Sequence, residues 1–407
     1  MIGPGDSAEL ARWRADTPGC ERLVHLNNAG AALQPVPVRQ AVARHLELEN
    51  ELGGYEAAEA HTDALHRAYG AVARLLAAAP RNLAMQQNST VAFTQAFAAF
   101  DLGPGDLILT SRADYASNQI MYLALARRRG VETVRVPDAP EGGIDPQAVR
   151  ELIARRRPRL LALSWIPTNS GLVQPAEAVG EICRDAGVPY IVDACQAVGQ
   201  LTVDVGRLHC DYLAAASRKF LRGPRGAGFL YVSDRALSAG AYPLTVDMHG
   251  ATWSEPDDFA LTPDARRFES WEVSHALTLG IGAAAEYALA VGIETARERS
   301  WALARYTRER LAAIEGVRVL DRGPALCAIA TAELGGRPAE QVKLALRARG
   351  INTSSPNRDD AVIDMMDKRA DSALRISPHY YNTADEVDTA VAALAEVLQS
   401  VKPTTRA

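Results

Sequence analysis

Two places in the chain, the segment 88–90 and the end of an apolar run at Asp193, carry side chains that could bind different parts of a small molecule. The segment NST (88–90) precedes an alanine-rich helix, whose free N–H groups and dipole favour a phosphate near Ser89 and Thr90. A plain helix cap is the alternative role for these residues. Asp193 ends the apolar run Ile-Val-Asp, and a buried carboxylate needs a partner such as a protonated ring nitrogen, a salt bridge or a helix cap.

A lysine is the third feature with chemical potential. The 44 basic residues include four lysines: Lys219, Lys343, Lys368 and Lys402. Lys219 follows an apolar strand and lies among Arg218, Arg222 and Arg225, and a surface lysine in a cationic loop is its alternative role. Burial and nearby cations remove the proton from an amine, but a guanidinium stays charged. A phosphate segment, an acid and an amine in this order predict pyridoxal 5′-phosphate (PLP), with Lys219 condensing with its aldehyde and Asp193 holding its ring nitrogen protonated.

The bulk composition excludes several other classes of protein. The 407 residues carry 44 basic and 49 acidic side chains, a net charge of −5, so we expect no nucleic-acid partner. Residues 1–20 lack the pattern of a signal peptide, and no long apolar window predicts a membrane span. The five cysteines are scattered without a CxxC motif, so we expect no metal site, no disulfide framework and a reducing, cytoplasmic location.

The elements that must position these residues alternate along the chain. Strand-like and helical runs between residues 80 and 235 predict an α/β fold with a mostly parallel sheet and helices on both faces. Residues 241–268 are predicted to be rich in loops. We predict an N-terminal segment (1–35) contributing to the small domain and active site, a large cofactor-binding domain (36–275), one connecting helix (276–315) and a small α+β domain (316–407).

Several motifs together resemble one family. They are HLNNAGAAL (25–33), VPYIVDACQAVGQLTVDV (188–205), CDYLAAASRKFLRGPRGAGFLYV (210–232) and LRISPHYYNTADEVD (374–388). They resemble the class V aminotransferases among the fold-type I PLP enzymes, and most of all the ergothioneine-type C–S lyases and isopenicillin-N-epimerase-like proteins. The resemblance implies a sheet of seven strands, an amino-acid substrate and a homodimer with a shared active site.

The resemblance also implies roles for individual residues. Lys219 would be catalytic, and Arg375 and Asn28 would bind the substrate, with Arg375 holding its α-carboxylate. Many relatives carry a hydroxyl residue at the position of Ala216, which Ser217 or Arg218 would replace here. The residues implied to bind the cofactor are Ser89, Thr90, Tyr115, Asn169, Asp193, Gln196, Ser217, Arg218 and Lys219.

The reaction is the last expectation from the sequence. Persulfide-forming cysteine desulfurases carry a catalytic cysteine before the carboxylate-binding arginine, and residues 351–375 contain none. We therefore expect not a desulfurase but a C–S lyase that performs β-elimination on an S-substituted cysteine conjugate. An aminotransferase, an epimerase or a decarboxylating deaminase of secondary metabolism uses the same residues and stays an alternative, as does a catalytically silent binding protein on this fold.

Overall fold

The structure is a computed structural model that describes residues 8–403. Its strands are β1 (Val24–His25), β2 (Leu83–Gln86), β3 (Leu107–Thr110), β4 (Glu132–Arg135), β5 (Leu160–Ser164), β6 (Tyr190–Asp193), β7 (Tyr212–Ala216), β8 (Gly228–Val232), β9 (Ala251–Glu255), β10 (Asp258–Leu261), β11 (Arg318–Val319), β12 (Ala330–Glu333), β13 (Ile351–Asn352) and β14 (Leu374–Ile376). Its helices are α1 (Ala8–Ala15), α2 (Val36–Leu52), α3 (Gly54–Ala60), α4 (Thr62–Leu75), α5 (Ser89–Ala98), α6 (Ala116–Arg129), α7 (Pro146–Arg156), α8 (Ala176–Ala186), α9 (Val205–Leu208), α10 (Asp234–Ser238), α11 (His275–Val291), α12 (Ile293–Ala312), α13 (Ala339–Arg347), α14 (Val362–Asp367) and α15 (Ala384–Ser400).

A seven-stranded sheet forms the centre of the large domain. Its strand order is β2-β8-β7-β6-β5-β3-β4, and β8 alone runs antiparallel to its neighbours. Strands β5, β6 and β7 are buried along their whole length, as expected for strands covered by helices on both faces. The prediction of an α/β fold with a mostly parallel sheet is confirmed. The carboxyl ends of the parallel strands meet at one edge, where ligands bind in such sheets.

Local sequence signals explain where the helices around this sheet begin and end. The side chain of Asp145 caps α7 by accepting a hydrogen bond from the Gln147 N–H at 2.8 Å, and a proline follows in the first turn. Gly130 ends α6 in the left-handed conformation with φ 70°. These caps fix where α6 ends and where α7 begins beside the sheet.

The connection between the domains differs from its prediction. Residues 276–315 were predicted to form one helix, but α11 and α12 meet at a bend of 79° at Gly292, whose φ is 86°. Helix α11 packs on α2 and α4 in the large domain, and α12 packs on α15 and β12 in the small domain. Gly292 is the residue that can adopt this backbone conformation at low cost, so the bend occurs there.

The small domain is built on the three-stranded sheet β11-β12-β14. Strand β1 of the N-terminal segment pairs in parallel with β13, and Asn27 bridges to Ser377. The N-terminal segment therefore joins the small domain before it enters the large one. The predicted N-terminal and C-terminal units also include residues 1–7 and 404–407, which lie outside the described part of the chain.

The segment predicted as loops contains a β-hairpin. Strands β9 and β10 pair antiparallel between residues 251 and 261. Trp253 on this hairpin is 80% exposed. Within residues 8–403, no single helix is long and apolar enough to cross a membrane, and α11 and α12 meet that criterion only when they are taken together across their bend.

Candidate active site

A cavity of about 490 Å³ lies at the carboxyl edge of the parallel strands. Strand β6 ends at Asp193, beside Ser164 at the end of β5, and Lys219 follows the end of β7. The cavity is therefore formed where three neighbouring strands stop. Of the residues predicted from the sequence, the structure brings together in its wall Ser89, Thr90, Tyr115, Asp193, Gln196, Arg218 and Lys219.

One end of the cavity is shaped for a compact anion. Helix α5 begins at Ser89, and Asn88 caps it by accepting from the Val91 N–H at 2.9 Å. Gly228 lets β8 approach this helix closely, because a Cβ there would lie 2.5 Å from the Ala215 carbonyl oxygen and 3.2 Å from the Ser89 nitrogen. The N–H groups and the dipole of a helix N-terminus attract a phosphate. Arg225 also lines the cavity and forms no ion pair within the described residues.

Asp193 is held by donors on both of its carboxylate oxygens. The Cys195 N–H donates to Oδ1 at 3.0 Å, and Asn118 Nδ2 donates to Oδ2 at 3.1 Å. Asn118 Nδ2 also donates to Asp114 Oδ1 at 3.1 Å, so one amide bridges two buried carboxylates. Burial raises the pKa of Asp114, although Ser164 and Thr110 donate to it at 2.5 and 2.8 Å. The carboxylate of Asp193 is thereby fixed in orientation.

The amine of Lys219 is buried in the cavity wall. Its Nζ lies 5.9 Å from the centre of the Tyr115 ring. Burial lowers the pKa of Lys219, the thiol of Cys195 acts in the opposite direction, and Arg218 lowers the pKa further. An amine with a lowered pKa is a competent nucleophile and proton carrier near neutral pH.

A guanidinium lies behind the cavity wall at Thr168. Arg375 Nη1 donates to the Thr168 carbonyl oxygen at 2.8 Å, and its Nη2 donates to Asn27 Oδ1 at 3.2 Å. Gln196 Nε2 donates to Thr168 Oγ1 at 2.9 Å, which ties the arginine to the cavity wall. Burial lowers the pKa of Arg375 to about 10, so the group remains charged at neutral pH.

Three buried polar atoms around the cavity have no hydrogen-bond partner within the described residues. They are Arg375 Nε, Gln196 Oε1 and Asn169 Nδ2. Buried polar groups in proteins are nearly always paired, so unpaired ones that surround a cavity indicate a ligand that supplies the missing partners. Of these three residues, Gln196 lines the cavity, whereas Asn169 follows the lining residue Thr168 in sequence and Arg375 donates to it.

Two further predicted site residues lie away from the cavity. The hydroxyl of Ser217 contacts the carbonyl oxygens of Pro224 at 2.6 Å and Ala227 at 3.0 Å, because alternate residues of a strand face opposite sides. It therefore cannot replace the hydroxyl absent at Ala216. Asn28 is fully buried and donates to the Ser377 carbonyl oxygen at 2.7 Å, while its neighbour Asn27 contacts Arg375.

Several residues of the site were missed by the sequence reasoning. Asn118, in the first turn of α6, reaches Asp193 through the packing of α6 against the sheet, and it joins Asp193 to Asp114, which precedes the helix. Thr168 lies in the loop four residues after the end of β5, so a search of the segments that follow the strand ends could have found it. Cys195 lines the cavity, and burial raises the pKa of its thiol.

Comparison with known families decides the identity of this arrangement. The family model for aminotransferase class-V matches residues 24–390. The chain belongs to the class-V aminotransferase family. The resemblance stated from the sequence motifs is confirmed.

Three curated members of the family show its range of reactions. A probable cysteine desulfurase of Methanothermobacter thermautotrophicus is 26% identical over 95% of this chain and 97% of its own length. A probable hercynylcysteine sulfoxide lyase of Mycobacterium tuberculosis is 29% identical over 96% of this chain and 94% of its own. The isopenicillin N epimerase of Amycolatopsis lactamdurans is 30% identical over 80% of this chain and 83% of its own.

Solved structures confirm the fold. A cysteine desulfurase of Escherichia coli superposes with a TM-score of 0.88 at 24% identity, covering 98% of this chain and 100% of that one. A variant of C-DES with glycine covalently linked to its PLP cofactor superposes with a TM-score of 0.83 at 20% identity, covering 94% of this chain and 99% of that one. The fold-type I architecture predicted from the motifs is therefore confirmed.

The residues of this class-V enzyme fit PLP. The helix N-terminus at Ser89 suits a phosphate, Asp193 suits a protonated ring nitrogen, and the unpaired Gln196 Oε1 and the amine of Lys219 face the same space. The protein is a PLP-dependent enzyme of class-V type, as predicted. The individual roles of these side chains remain predictions that the experiments below address.

The expected reaction needs correction. From the missing cysteine in residues 351–375 we expected a β-eliminating C–S lyase and excluded a cysteine desulfurase. The exclusion is wrong, because relatives named cysteine desulfurases match 94–97% of the chain and a desulfurase shares the fold closely. The inference failed because it placed the sulfur acceptor in one loop, whereas a thiol elsewhere or in solution can accept sulfur.

Proposed function

We propose that this enzyme removes sulfur from the β-carbon of a cysteine-type amino acid, with desulfuration included. The observation that carries the proposal is that the buried amine of Lys219 lines the cavity, while the buried, charged guanidinium of Arg375 lies behind its wall and donates to Thr168. The curated relatives that are named for cysteine or for a cysteine sulfoxide support the choice of substrate class.

The side chains divide the work between binding and proton transfer. When bound, PLP draws electrons from the bonds of an amino-acid α-carbon. Arg375 binds the α-carboxylate through its unpaired Nε, and Thr168 and Asn27 hold its other nitrogens in place. Lys219 takes the α-proton and returns it to the carbon skeleton. In desulfuration the Cβ–S bond breaks, a thiol accepts the sulfur as a persulfide, and alanine leaves with the returned protons.

The test is a product analysis of the purified holoenzyme with L-cysteine in the presence of a soluble thiol. We expect alanine and sulfide in equal amounts. Cys195→Ala tests the thiol in the cavity as acceptor, because alanine formation without added thiol should fall in this variant if Cys195 takes the sulfur. Lys219→Ala should abolish turnover, and Lys343→Ala is the matched control, since Lys343 lies on α13 in an ion pair with Glu340.

Other products would contradict the proposal in distinguishable ways. Pyruvate and ammonia in place of alanine would show elimination and refute desulfuration as the reaction with L-cysteine. Conversion of the bound cofactor to pyridoxamine phosphate, without release of sulfur, would show transamination and refute sulfur removal altogether.

We also infer that the enzyme is a homodimer. Five large apolar side chains between residues 244 and 271 are exposed, and exposed apolar surface of this kind marks protein interfaces when it is contiguous. They are Leu244, Met248, Trp253, Phe259 and Trp271. Light scattering should give twice the mass of the chain, and Trp253→Ser with Phe259→Ser should weaken the dimer while Leu344→Ser, on α13, does not. A monomeric wild-type enzyme would refute this inference. The cytoplasmic location stays a prediction.

A further inference from the structure

The hydroxyl group of Thr168 has a hydrogen that none of the described residues accepts. Thr168 lines the cavity, and its Oγ1 receives two hydrogen bonds, from Gln196 Nε2 at 2.9 Å and from Arg375 Nη1 at 3.2 Å. A hydroxyl oxygen has two lone pairs and one hydrogen. Both lone pairs are therefore occupied, and the hydrogen is free to be donated to a ligand.

The chemistry of its neighbours fixes Thr168 as the acceptor in both hydrogen bonds. A guanidinium can only donate, so Arg375 is the donor to Thr168. Gln196 Nε2 also lies 3.1 Å from the Ala29 carbonyl oxygen, which can only accept. The amide atom at this position must therefore be the nitrogen, and Gln196 Oε1 is left without a partner within the described residues. Thr168 consequently has no acceptor in either neighbour.

An acceptor at this hydroxyl lies close to a positive charge. Arg375 Nη1 is 3.2 Å from Thr168 Oγ1 and 2.8 Å from the Thr168 carbonyl oxygen. The guanidinium is buried, its pKa of about 10 keeps it charged at neutral pH, and no carboxylate of the described residues forms an ion pair with it. A buried charge is stable when it is paired with an opposite charge. We therefore expect the group that accepts from Thr168 to be an anion.

We propose that the Thr168 hydroxyl donates to the α-carboxylate of the substrate and shares this group with Arg375. Thr168 contacts the carboxylate from the cavity wall, and the guanidinium behind the wall supplies the positive charge. Amino acids with a free α-carboxylate are then favoured over amines that lack it. This inference rests on the proposed function for the amino-acid scaffold, and it adds a residue that contacts the substrate.

The experiment compares two ligands that differ in the carboxylate alone, L-alanine and ethylamine. Their dissociation constants are measured on the PLP-loaded enzyme from the visible absorbance of the cofactor. Thr168→Val should weaken the binding of L-alanine by at least about tenfold, the effect of one hydrogen bond to a charged group, and leave that of ethylamine unchanged. Thr168→Ser keeps the hydroxyl and should retain most of the affinity for L-alanine.

The valine variant tests the hydroxyl itself, because both donors to Thr168 keep a second acceptor. Arg375 Nη1 still donates to the backbone carbonyl of residue 168, and Gln196 Nε2 still donates to the Ala29 carbonyl oxygen. Valine also has nearly the shape of threonine, so the loop keeps its packing.

Four results would overturn the proposal. L-alanine affinity that is unchanged in Thr168→Val, or that falls equally with ethylamine affinity, would show that the hydroxyl does not bind the carboxylate. A changed dissociation constant of PLP, with the ratio between the two ligands unaltered, would place the hydroxyl on the cofactor. A loss in Thr168→Ser as large as in Thr168→Val would show that the hydroxyl is not the cause. None of these measurements involves sulfur removal, so the product analysis can refute the proposed function while this inference stands.

Discussion

The amide of Asn118 offers a sharp test of how the acid at the centre of the site is held. Asn118→Ala removes the donor that bridges Asp193 Oδ2 and Asp114 Oδ1, both at 3.1 Å. Asp114 keeps the donors Ser164 and Thr110, so its carboxylate loses little stabilisation in this variant. Asp193 keeps only the Cys195 N–H among the hydrogen bonds of the described residues, so most of the loss falls on it.

The size of the effect follows from the energy of a hydrogen bond to a charged group. Such a bond contributes about 1.5–3 kcal/mol. We expect the free energy of unfolding of the cofactor-free protein, measured in urea, to fall by about this amount. The loss of this hydrogen bond also leaves Asp193 misoriented. If half of the lost free energy appears in cofactor binding for this reason, the dissociation constant of PLP rises by roughly fourfold to tenfold.

The neighbouring residue provides the control. Gln119 lies on the same turn of α6 but contacts Arg135 at 2.8 Å, on the side away from Asp193. Gln119→Ala should leave the PLP dissociation constant unchanged. Equal PLP affinity in the Asn118 and Gln119 variants would refute the reasoning that the amide orients Asp193.

Three further predictions concern the cofactor cradle and its support. Ala216→Ser adds a hydroxyl to the cavity wall and should lower the PLP dissociation constant in an absorbance titration; an unchanged constant would show that this position does not face the phosphate. Gly228→Ala would place a methyl 2.5 Å from the Ala215 carbonyl oxygen, so Tm and PLP affinity should fall together, and normal values of both would contradict the close approach. Burial lowers the pKa of His379, whose Nε2–H donates to the Phe220 carbonyl oxygen at 2.9 Å. The unfolded chain therefore binds the proton first as the pH falls below about 6.5, so unfolding free energy should drop between about pH 7 and pH 5, and drop less in His379→Gln.

The sequence was sufficient to predict the sheet and the residues at its strand ends. Apolar runs mark the strands β5, β6 and β7, and the residue that follows each run lies at the carboxyl edge because the strands are parallel. Asp193 and Lys219 could therefore be placed on one cavity from their positions alone. Cofactor chemistry then follows from the types of these two side chains.

The remaining features depend on packing that no local pattern records. Asn118 faces Asp193 only because α6 packs at one particular rotation against the sheet. From sequence alone, a polar residue in the first turn of a helix is predicted to face solvent. Ser217 and Ala216 differ by one position, and the alternation of a strand decides which of them faces the cavity. A single glycine is tolerated in helices, so the sequence predicts an unbroken helix through Gly292. The bend at Gly292 occurs because α11 and α12 pack on different domains.

One environment gives two cationic side chains different chemistry, which explains why position 219 is a lysine in an arginine-rich chain. Burial lowers the pKa of both Lys219 and Arg375, and Arg218 lowers both further. Arg375 falls from 12.5 to a pKa of about 10, and so it still carries a full charge for a carboxylate at neutral pH. Lys219 starts lower, at 10.5, and burial lowers its pKa further, which favours the neutral amine. An arginine at position 219 would stay charged and could not take the role of nucleophile that we propose for Lys219, and a lysine at position 375 would risk losing the charge that we propose holds the substrate.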